Sequence, residues 1–424
     1  MPAPGGAISA AQTVIMADMS TAATGFSAAR LQRLSERLRA DVERGEIPGA
    51  VALIIHDGRV AYFEAFGYSS RAAQRPMAPD CIFRIASMTK PITVAAALQL
   101  MERGELALAD PVAHFLPSFA SLGVGRETVD AGSDERSLAI DGLRRAMTVH
   151  DLMRHTAGFT YGPFGDSLVQ RAYRNAKLLD DQQTNAELVE KLARLPLAYQ
   201  PGTTFEYGMS TDVLGRIVEV VSGLSLDRFI AERITGPLGM ADTGFAVKAA
   251  ALDRLAEPQA EAAPSPAAPA VAPHNPAKPA RWFSGGGGLL STAADYARFC
   301  RMLLNRGELE GVHILSRTTV ACMTSNQLPA DLAYGPLTQE LASAAPLPQL
   351  GQGYGLGLGV RVQQGLANVP GSVGDYFWGG ATGPYFWVDP QERLIVILML
   401  QEQNAARRAR YRALLRNLVY QALD

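Results

Sequence analysis

Ser87 and Lys90 stand three residues apart in the run RIASMTKPIT, a spacing that puts a hydroxyl and an amine on one face of a helix, within reach of each other. A serine hydroxyl is a weak nucleophile near neutral pH, and a neighbouring amine that has lost its proton is one of the few groups able to activate it. The chain has five lysines, Lys90, Lys177, Lys191, Lys248 and Lys278, and only Lys90 has a serine three positions upstream. Pro91 is tolerated only in the first turn of a helix, and Val94, Leu98 and Met101 follow at helical spacing, so the helix starts close to Ser87. There the hydroxyl meets unpaired backbone amides and the positive end of the helix dipole, both of which favour an oxyanion. The plain alternative makes Ser87 a helix cap and Lys90 a solvated charge.

Competing chemistries lack their residues. No serine sits in a GxSxG elbow, and there is no HExxH, GxxxxGK[ST] or GxGxxG run, which removes the main supports for an α/β-hydrolase, a zinc peptidase, a P-loop NTPase or a dinucleotide-binding fold. Of the six histidines only His155, in MRHTAGF, has a suggestive setting, and a structural bond near a turn is the expected role for it. Three cysteines, Cys81, Cys300 and Cys322, are odd in number and widely spaced, which reads as buried thiols rather than a disulfide framework or a zinc site. No metal and no cofactor is expected.

The 424 residues, 48% of them apolar, are enough for two or three structural units and a large core. A net charge of -2 offers no pull toward nucleic acid or an anionic membrane, so the expected partner is a small molecule. The N-terminal segment has neither a basic region nor a sustained apolar stretch, and the longest apolar run, Leu394 to Leu400, is too short to span a bilayer. A cytoplasmic enzyme is expected, and a composition rich in alanine and arginine but poor in lysine points to a bacterial source. The sequence carries no reading of oligomeric state.

These residues need elements to hold them. Residues 1–26 read as a loose tail. From the N-cap Ser27, an apolar face of Leu31, Leu34, Leu38 and Val42 predicts a helix ending at Gly45, followed by two strands joined at Asp57-Gly58. GYGLGLGVRV and YFWVDPQERLIVILML predict further strands, the second split by a turn at Asp389-Pro390. A C-terminal helix follows with Tyr411, Leu414, Leu415, Leu418, Val419 and Ala422 on one stripe and Arg407, Arg408, Arg412 and Arg416 largely off it, which predicts a sheet-packing helix with a solvated face. The centre reads as helical: Asp110 as an N-cap with Pro111 at the first helical position, a capping box at Thr148, and a helix from about Ser210 to Gly223. The economical fold is α+β, an antiparallel sheet made by both termini and flanked by terminal helices, with an all-helical domain inserted. This divides the chain into an α/β domain of residues 27–110 and 281–424 and a mostly helical domain of 111–280, whose proline- and alanine-rich stretch 257–280 is an exposed loop.

Five blocks, SMTK, LMRHTAGFTYG, PGTTFEYGMSTDVLGRIVEVVSG, FSGGGGLLSTAADYARF and WGGATG, occur in the order seen in the serine β-lactamase-like superfamily. They most resemble its carboxylesterase branch, the family VIII esterases, related to class C β-lactamases and DD-peptidases. The resemblance runs from about residue 27 to the end. It implies Ser87 as acyl-accepting nucleophile, Lys90 as its general base, and Tyr207 as a phenol relaying a proton between nucleophile, lysine and leaving group. It also implies an oxyanion hole from the backbone amides of Ser87 and Ala381.

Two departures from the β-lactamase pattern matter. Met209 stands where an asparagine is expected two residues after the tyrosine, and Trp378-Gly379-Gly380 replaces a strand motif whose lysine holds a substrate carboxylate. An indole supplies no such charge, so Trp378, Gly379 and Gly380 are expected to bind a neutral group, with the glycines allowing close approach to the backbone. The expected activity is hydrolysis of short-chain, uncharged esters. Alternatives are a β-lactamase, DD-peptidase or amide hydrolase, an acyltransferase on the same acyl-serine, and a non-catalytic binding protein on the same scaffold.

Overall fold

A computed structural model describes residues 25–129, 132, 135–258, 275–340 and 346–424. The expected tail of residues 1–26 lies almost wholly outside these residues, and so does most of the proline- and alanine-rich stretch.

Helix α1 (Ala28–Glu43) starts where expected, with the Ser27 hydroxyl accepting from the Arg30 amide, and buries Leu31, Leu34, Leu38 and Val42. Strands β1 (Gly49–His56) and β2 (Arg59–Ser70) follow, joined by Asp57 and Gly58 at φ of 49° and 77°, the left-handed pair that a tight hairpin turn requires. The short β3 (Arg75–Pro76) and helix α2 (Thr89–Glu102) come next. From the middle of the chain come α3 (Val149–Met153), α4 (Ser210–Ser222) and α5 (Ala293–Leu304). The chain closes with β4 (Gln352–Tyr354), β5 (Gly359–Arg361), β6 (Tyr376–Gly379), β7 (Tyr385–Asp389), β8 (Leu394–Leu400) and α6 (Ala405–Tyr420).

The strands form one eight-stranded antiparallel sheet in the order β4-β5-β6-β7-β8-β1-β2-β3, so the two ends of the chain meet where β8 pairs with β1, Ala50 opposite Leu400. Successive residues of a strand point to opposite faces, and here both faces are covered. Ile395, Ile397 and Met399 of β8 join Val51, Leu53 and Ile55 of β1 in the core shared with the central helices. Leu394, Val396, Leu398 and Leu400 join Ala50, Ala52 and Ile54 under α1 and α6. That is why LIVILML is apolar at every position rather than at alternate ones. By the same alternation, Trp378 of β6 faces the central helices and Phe377 faces α6.

Four expectations change. The insertion is not all helical: a hairpin of Gly123–Val129 and Arg136–Gly142 projects from it, its charged residues masking the alternation that marks a strand. Pro111 is itself the N-cap of the turn Val112–Phe115, while the Asp110 carboxylate accepts from the Ala107 amide. Arg416 is not solvated but buried against Asp375, 2.7 Å away, because Asp375 is already fully enclosed beside Arg361. Of the three thiols, Cys81 and Cys300 are buried and Cys322 is half-buried. Among the described residues, no helix is long and apolar enough to cross a membrane.

Candidate active site

Ser87 lies on a single tight turn, Ala86–Met88, that leads directly into α2. Ala86 has a φ of 45°, a left-handed conformation that costs a non-glycine residue energy and marks a backbone held by its surroundings. The holders are close by. The Ile85 amide donates to the Leu289 carbonyl, the Leu289 amide to the Thr89 hydroxyl at 3.1 Å, and the Tyr296 hydroxyl to the Met88 carbonyl at 2.9 Å. The turn is thus anchored on the glycine-rich segment before α5 and on α5 itself.

Lys90, in the first turn of α2, is fully buried. Its Nζ donates to the Gly286 carbonyl at 2.7 Å and lies 3.3 Å from both Ser87 Oγ and the Tyr161 hydroxyl. It also stands 4.6 Å from the centre of the Tyr207 ring. The lysine is therefore held between a backbone acceptor, the serine and two phenols, and Ser87 and Lys90 meet as their spacing predicts.

The Gly286 carbonyl is aimed by a second buried group. Asp212, in the first turn of α4, accepts from the Ser284 hydroxyl at 2.5 Å and the Gly286 amide at 3.0 Å. Thr93 of α2 donates to the neighbouring Gly285 carbonyl at 2.8 Å. A Cβ at Gly286 would fall 2.4 Å from Asp212 Oδ2, so the carboxylate fits only because that residue is glycine. Burial pushes the Asp212 carboxyl upward from its ordinary range, opposed by the charge of Lys90 and by the two hydrogen bonds.

Tyr207 sits just before α4 and is 9% exposed. Its backbone amide donates to the Thr338 hydroxyl at 3.0 Å, and that hydroxyl reaches Glu206 Oε2 at 3.1 Å while Thr160 donates to Glu206 Oε1 at 3.1 Å. Its ring rests on His155, with centroids 4.8 Å apart, and on Trp378 at 5.5 Å. The Tyr207 hydroxyl is buried with no hydrogen-bond partner among the described residues. His155 is wholly buried, and burial together with the Lys90 charge holds its imidazole well below the usual range. The Gly208 amide donates to its Nδ1 at 3.4 Å, leaving Nε2 facing the Thr211 hydroxyl at 3.5 Å. His155 is a neutral strut for the Tyr207 turn, as its sequence setting implied.

At the end of β6, Trp378 is 3% exposed and packs on Tyr207 and, 5.2 Å away, on Tyr354. Little of the indole is open, so its first effect is to fix the tyrosine. Gly379 is half-buried, and a Cβ there would fall 2.4 Å from the Arg412 guanidinium, so this arginine too faces inward from α6. A Cβ at Gly380 would fall 2.6 Å from the Ile85 carbonyl. The missing side chain is what lets β6 approach the serine turn. Ala381 follows in an exposed turn closed by the Gly383 amide on the Gly380 carbonyl, and the Thr382 hydroxyl ties that turn to the Arg84 carbonyl at 2.7 Å. Ser87 and Ala381 therefore occupy adjoining turns. Met209 is buried apolar core, so no side-chain amide stands at that position.

Sequence reasoning missed Tyr161, Asp212, Glu206 and Thr338. The first three lie inside blocks that carried the family resemblance, but only the folded chain brings them to Lys90 and Tyr207. Thr338 comes from a segment with no motif at all.

Comparison with known proteins identifies the family. The family model described as Beta-lactamase matches residues 34–421. Protein Rv1367c of Mycobacterium tuberculosis is 36% identical over 374 residues, covering 86% of this chain and 88% of that protein. Esterase EstB of Burkholderia gladioli is 30% identical over 405 residues, covering 91% of this chain and 92% of EstB. Among solved structures, EstCE1, described as a hydrolase with promiscuous acyltransferase activity, superposes with a TM-score of 0.76 at 28% identity, over 96% of this chain and all of that one. The chain belongs to the beta-lactamase family, in the serine β-lactamase-like superfamily, and is a serine hydrolase of α+β fold.

Proposed function

We propose that this protein is a carboxylic ester hydrolase that works through an acyl-serine. The observation that carries the reading is a fully buried lysine amine 3.3 Å from a serine hydroxyl on a strained turn. In acylation, Ser87 Oγ bonds to the ester carbonyl carbon while its proton passes to the neutral amine of Lys90. The oxyanion forms against the backbone amides of Ser87 and Ala381, a term worth roughly 3 to 4 kcal/mol in comparable sites. The C–O bond to the alcohol then breaks as Tyr207, resupplied from Lys90, protonates the departing oxygen. Water repeats the sequence in reverse roles, releasing the acid and restoring Ser87.

Trp378, within an aromatic wall it shares with Tyr207 and Tyr354, bears on substrate class. A substrate carboxylate would meet an indole rather than an ammonium there, and an unpaired carboxylate is costly to bury. Short-chain, uncharged esters therefore fit better than β-lactams or peptidoglycan stems. The relatives named as acyltransferases, such as Acyltransferase mokF of Monascus pilosus, support a second reading in which an alcohol replaces water in the last step.

The test is hydrolysis of p-nitrophenyl esters of graded acyl length beside nitrocefin, with a competing alcohol in one arm. Turnover of the acetyl or butyryl ester well above nitrocefin supports the reading. Nitrocefin turnover that rivals the esters would overturn it, and preferential transfer to the alcohol would move the assignment to acyltransferase.

A further inference from the structure

Of the five blocks that carry the resemblance, LMRHTAGFTYG and FSGGGGLLSTAADYARF hold no residue with a reacting role in the acyl-serine route above. The first of them ends beside Lys90. The Tyr161 hydroxyl lies 3.3 Å from Lys90 Nζ, and its ring packs edge-on against Tyr207 at 5.7 Å and Phe164 at 6.1 Å. Tyr207, the tyrosine expected to relay the proton, offers Lys90 the face of its ring and keeps its own hydroxyl unpartnered among the described residues. The two phenols are placed for different work.

We propose that Tyr161 is a catalytic residue whose phenol oxygen, with the Gly286 carbonyl, receives the ammonium that Lys90 becomes on taking the Ser87 proton. This rests on the acyl-serine reading given above. An ammonium has three hydrogens and needs three acceptors. Gly286 O at 2.7 Å takes one and Tyr161 at 3.3 Å takes a second. The third hydrogen then points at Ser87 Oγ, the remaining neighbour, which is where the proton came from and where deacylation must return it. Tyr161 keeps its own proton while it does this, since burial and the nearby Asp212, Tyr207 and Tyr354 hold the phenol well above its ordinary range. The hydroxyl of Tyr207 is left for the departing alcohol, and the third hydrogen of Lys90 turns to resupply it once Ser87 Oγ is acylated and no longer accepts.

The charged and titratable groups around Lys90 come from several elements. They are Tyr161 and the neutral His155 from the segment after α3, Tyr207 and Asp212 from the start of α4, and Tyr354 and Arg412 behind Tyr207. Removing the Tyr161 hydroxyl alters only the first of these.

The test uses a fluorophosphonate probe. Ser87 Oγ forms a bond to phosphorus, the P–F bond breaks, fluoride leaves with its electron pair without needing a proton, and the serine proton ends on Lys90. Tyr207 drops out of this step, and the labelling rate against pH reports Lys90 and Tyr161. Tyr161→Phe is expected to slow the plateau by about 10- to 100-fold and move the acid limb down by about one pH unit. Phe164→Leu, which loosens the packing of the Tyr161 ring but spares its hydroxyl, should label within about threefold of wild type. Tyr207→Phe should lose alkyl esters far more than p-nitrophenyl esters while its acid limb stays in place. A wild-type rate and limb in Tyr161→Phe, an upward move of the limb, or the same change in Phe164→Leu would each overturn the proposal. If wild-type Ser87 resists the probe at every pH, the acyl-serine reading itself falls, a result distinct from failure of Tyr161 alone.

Discussion

The Gly286 carbonyl lies 2.7 Å from Lys90 Nζ, nearer than the Ser87 hydroxyl at 3.3 Å. A carbonyl only accepts, so one N–H of the lysine is committed to it in either protonation state. The orientation of the amine is thereby set by a backbone atom, and that atom is set by Asp212.

Asp212→Asn keeps an acceptor for the Ser284 hydroxyl and Gly286 amide but removes a charge that favours the Lys90 ammonium. The acid limb of kcat/KM should move to lower pH by about 0.5 to 1 unit with the fold intact. Asp212→Ala should instead lose the loop geometry and about 100-fold in kcat. The pH–rate profile separates the two, and an unmoved limb in Asp212→Asn means that the carboxyl is neutral in the working enzyme.

Gly380→Ala places a Cβ 2.6 Å from the Ile85 carbonyl, which forces β6 away from the serine turn. Because Ala381 is one residue further on, kcat should fall by about 100-fold with KM little changed. Steady-state kinetics on a p-nitrophenyl ester checks this.

Trp378→Lys restores the charge found in the β-lactamase pattern but buries it at a site 3% exposed, between Tyr207 and Tyr354. Esterase activity and Tm should both drop, and nitrocefin turnover should not appear. A gain of nitrocefin hydrolysis at wild-type Tm would show that this one side chain, and not the wider pocket, sets substrate class.

Asp151 caps α3, the element that leads to His155 and Tyr161. Burial alone would raise its carboxyl, but two hydrogen bonds from Arg145 at 2.6 and 2.8 Å, the Thr148 amide and the Thr156 hydroxyl outweigh it and hold the group at about 2. A depressed carboxylate stabilises the fold above its unfolded value of 3.8 and loses that contribution as pH falls toward 2. Asp151→Asn should cost about 2 to 3 kcal/mol at neutral pH, with the gap to wild type closing below about pH 4. Urea unfolding at several pH values measures it.

Much of this architecture was legible in the chain because local rules and tertiary demands agree there. Ser27, Thr148 and Gly223 end helices as their types dictate, and Asp57-Gly58 makes its hairpin turn. Ser87 and Lys90 were legible because a single helical turn fixes their separation. What stayed hidden depends on segments far apart in sequence. Asp212 acquires meaning only when Gly286 folds against it, Tyr161 only beside Lys90, and Arg416 turns inward only because Asp375 waits there. Pattern reading assigns an arginine on a helix to solvent, and no local signal says otherwise.

The most direct measurement is peptide mapping of protein acid-quenched during turnover of p-nitrophenyl butyrate. A butyryl group should sit on Ser87, be absent in Ser87→Ala although that variant remains folded, and fail to form near neutral pH in Lys90→Met. An acyl group on another residue, or acylation of Lys90→Met at the wild-type rate, would contradict the claim that a buried amine turns this serine into a nucleophile.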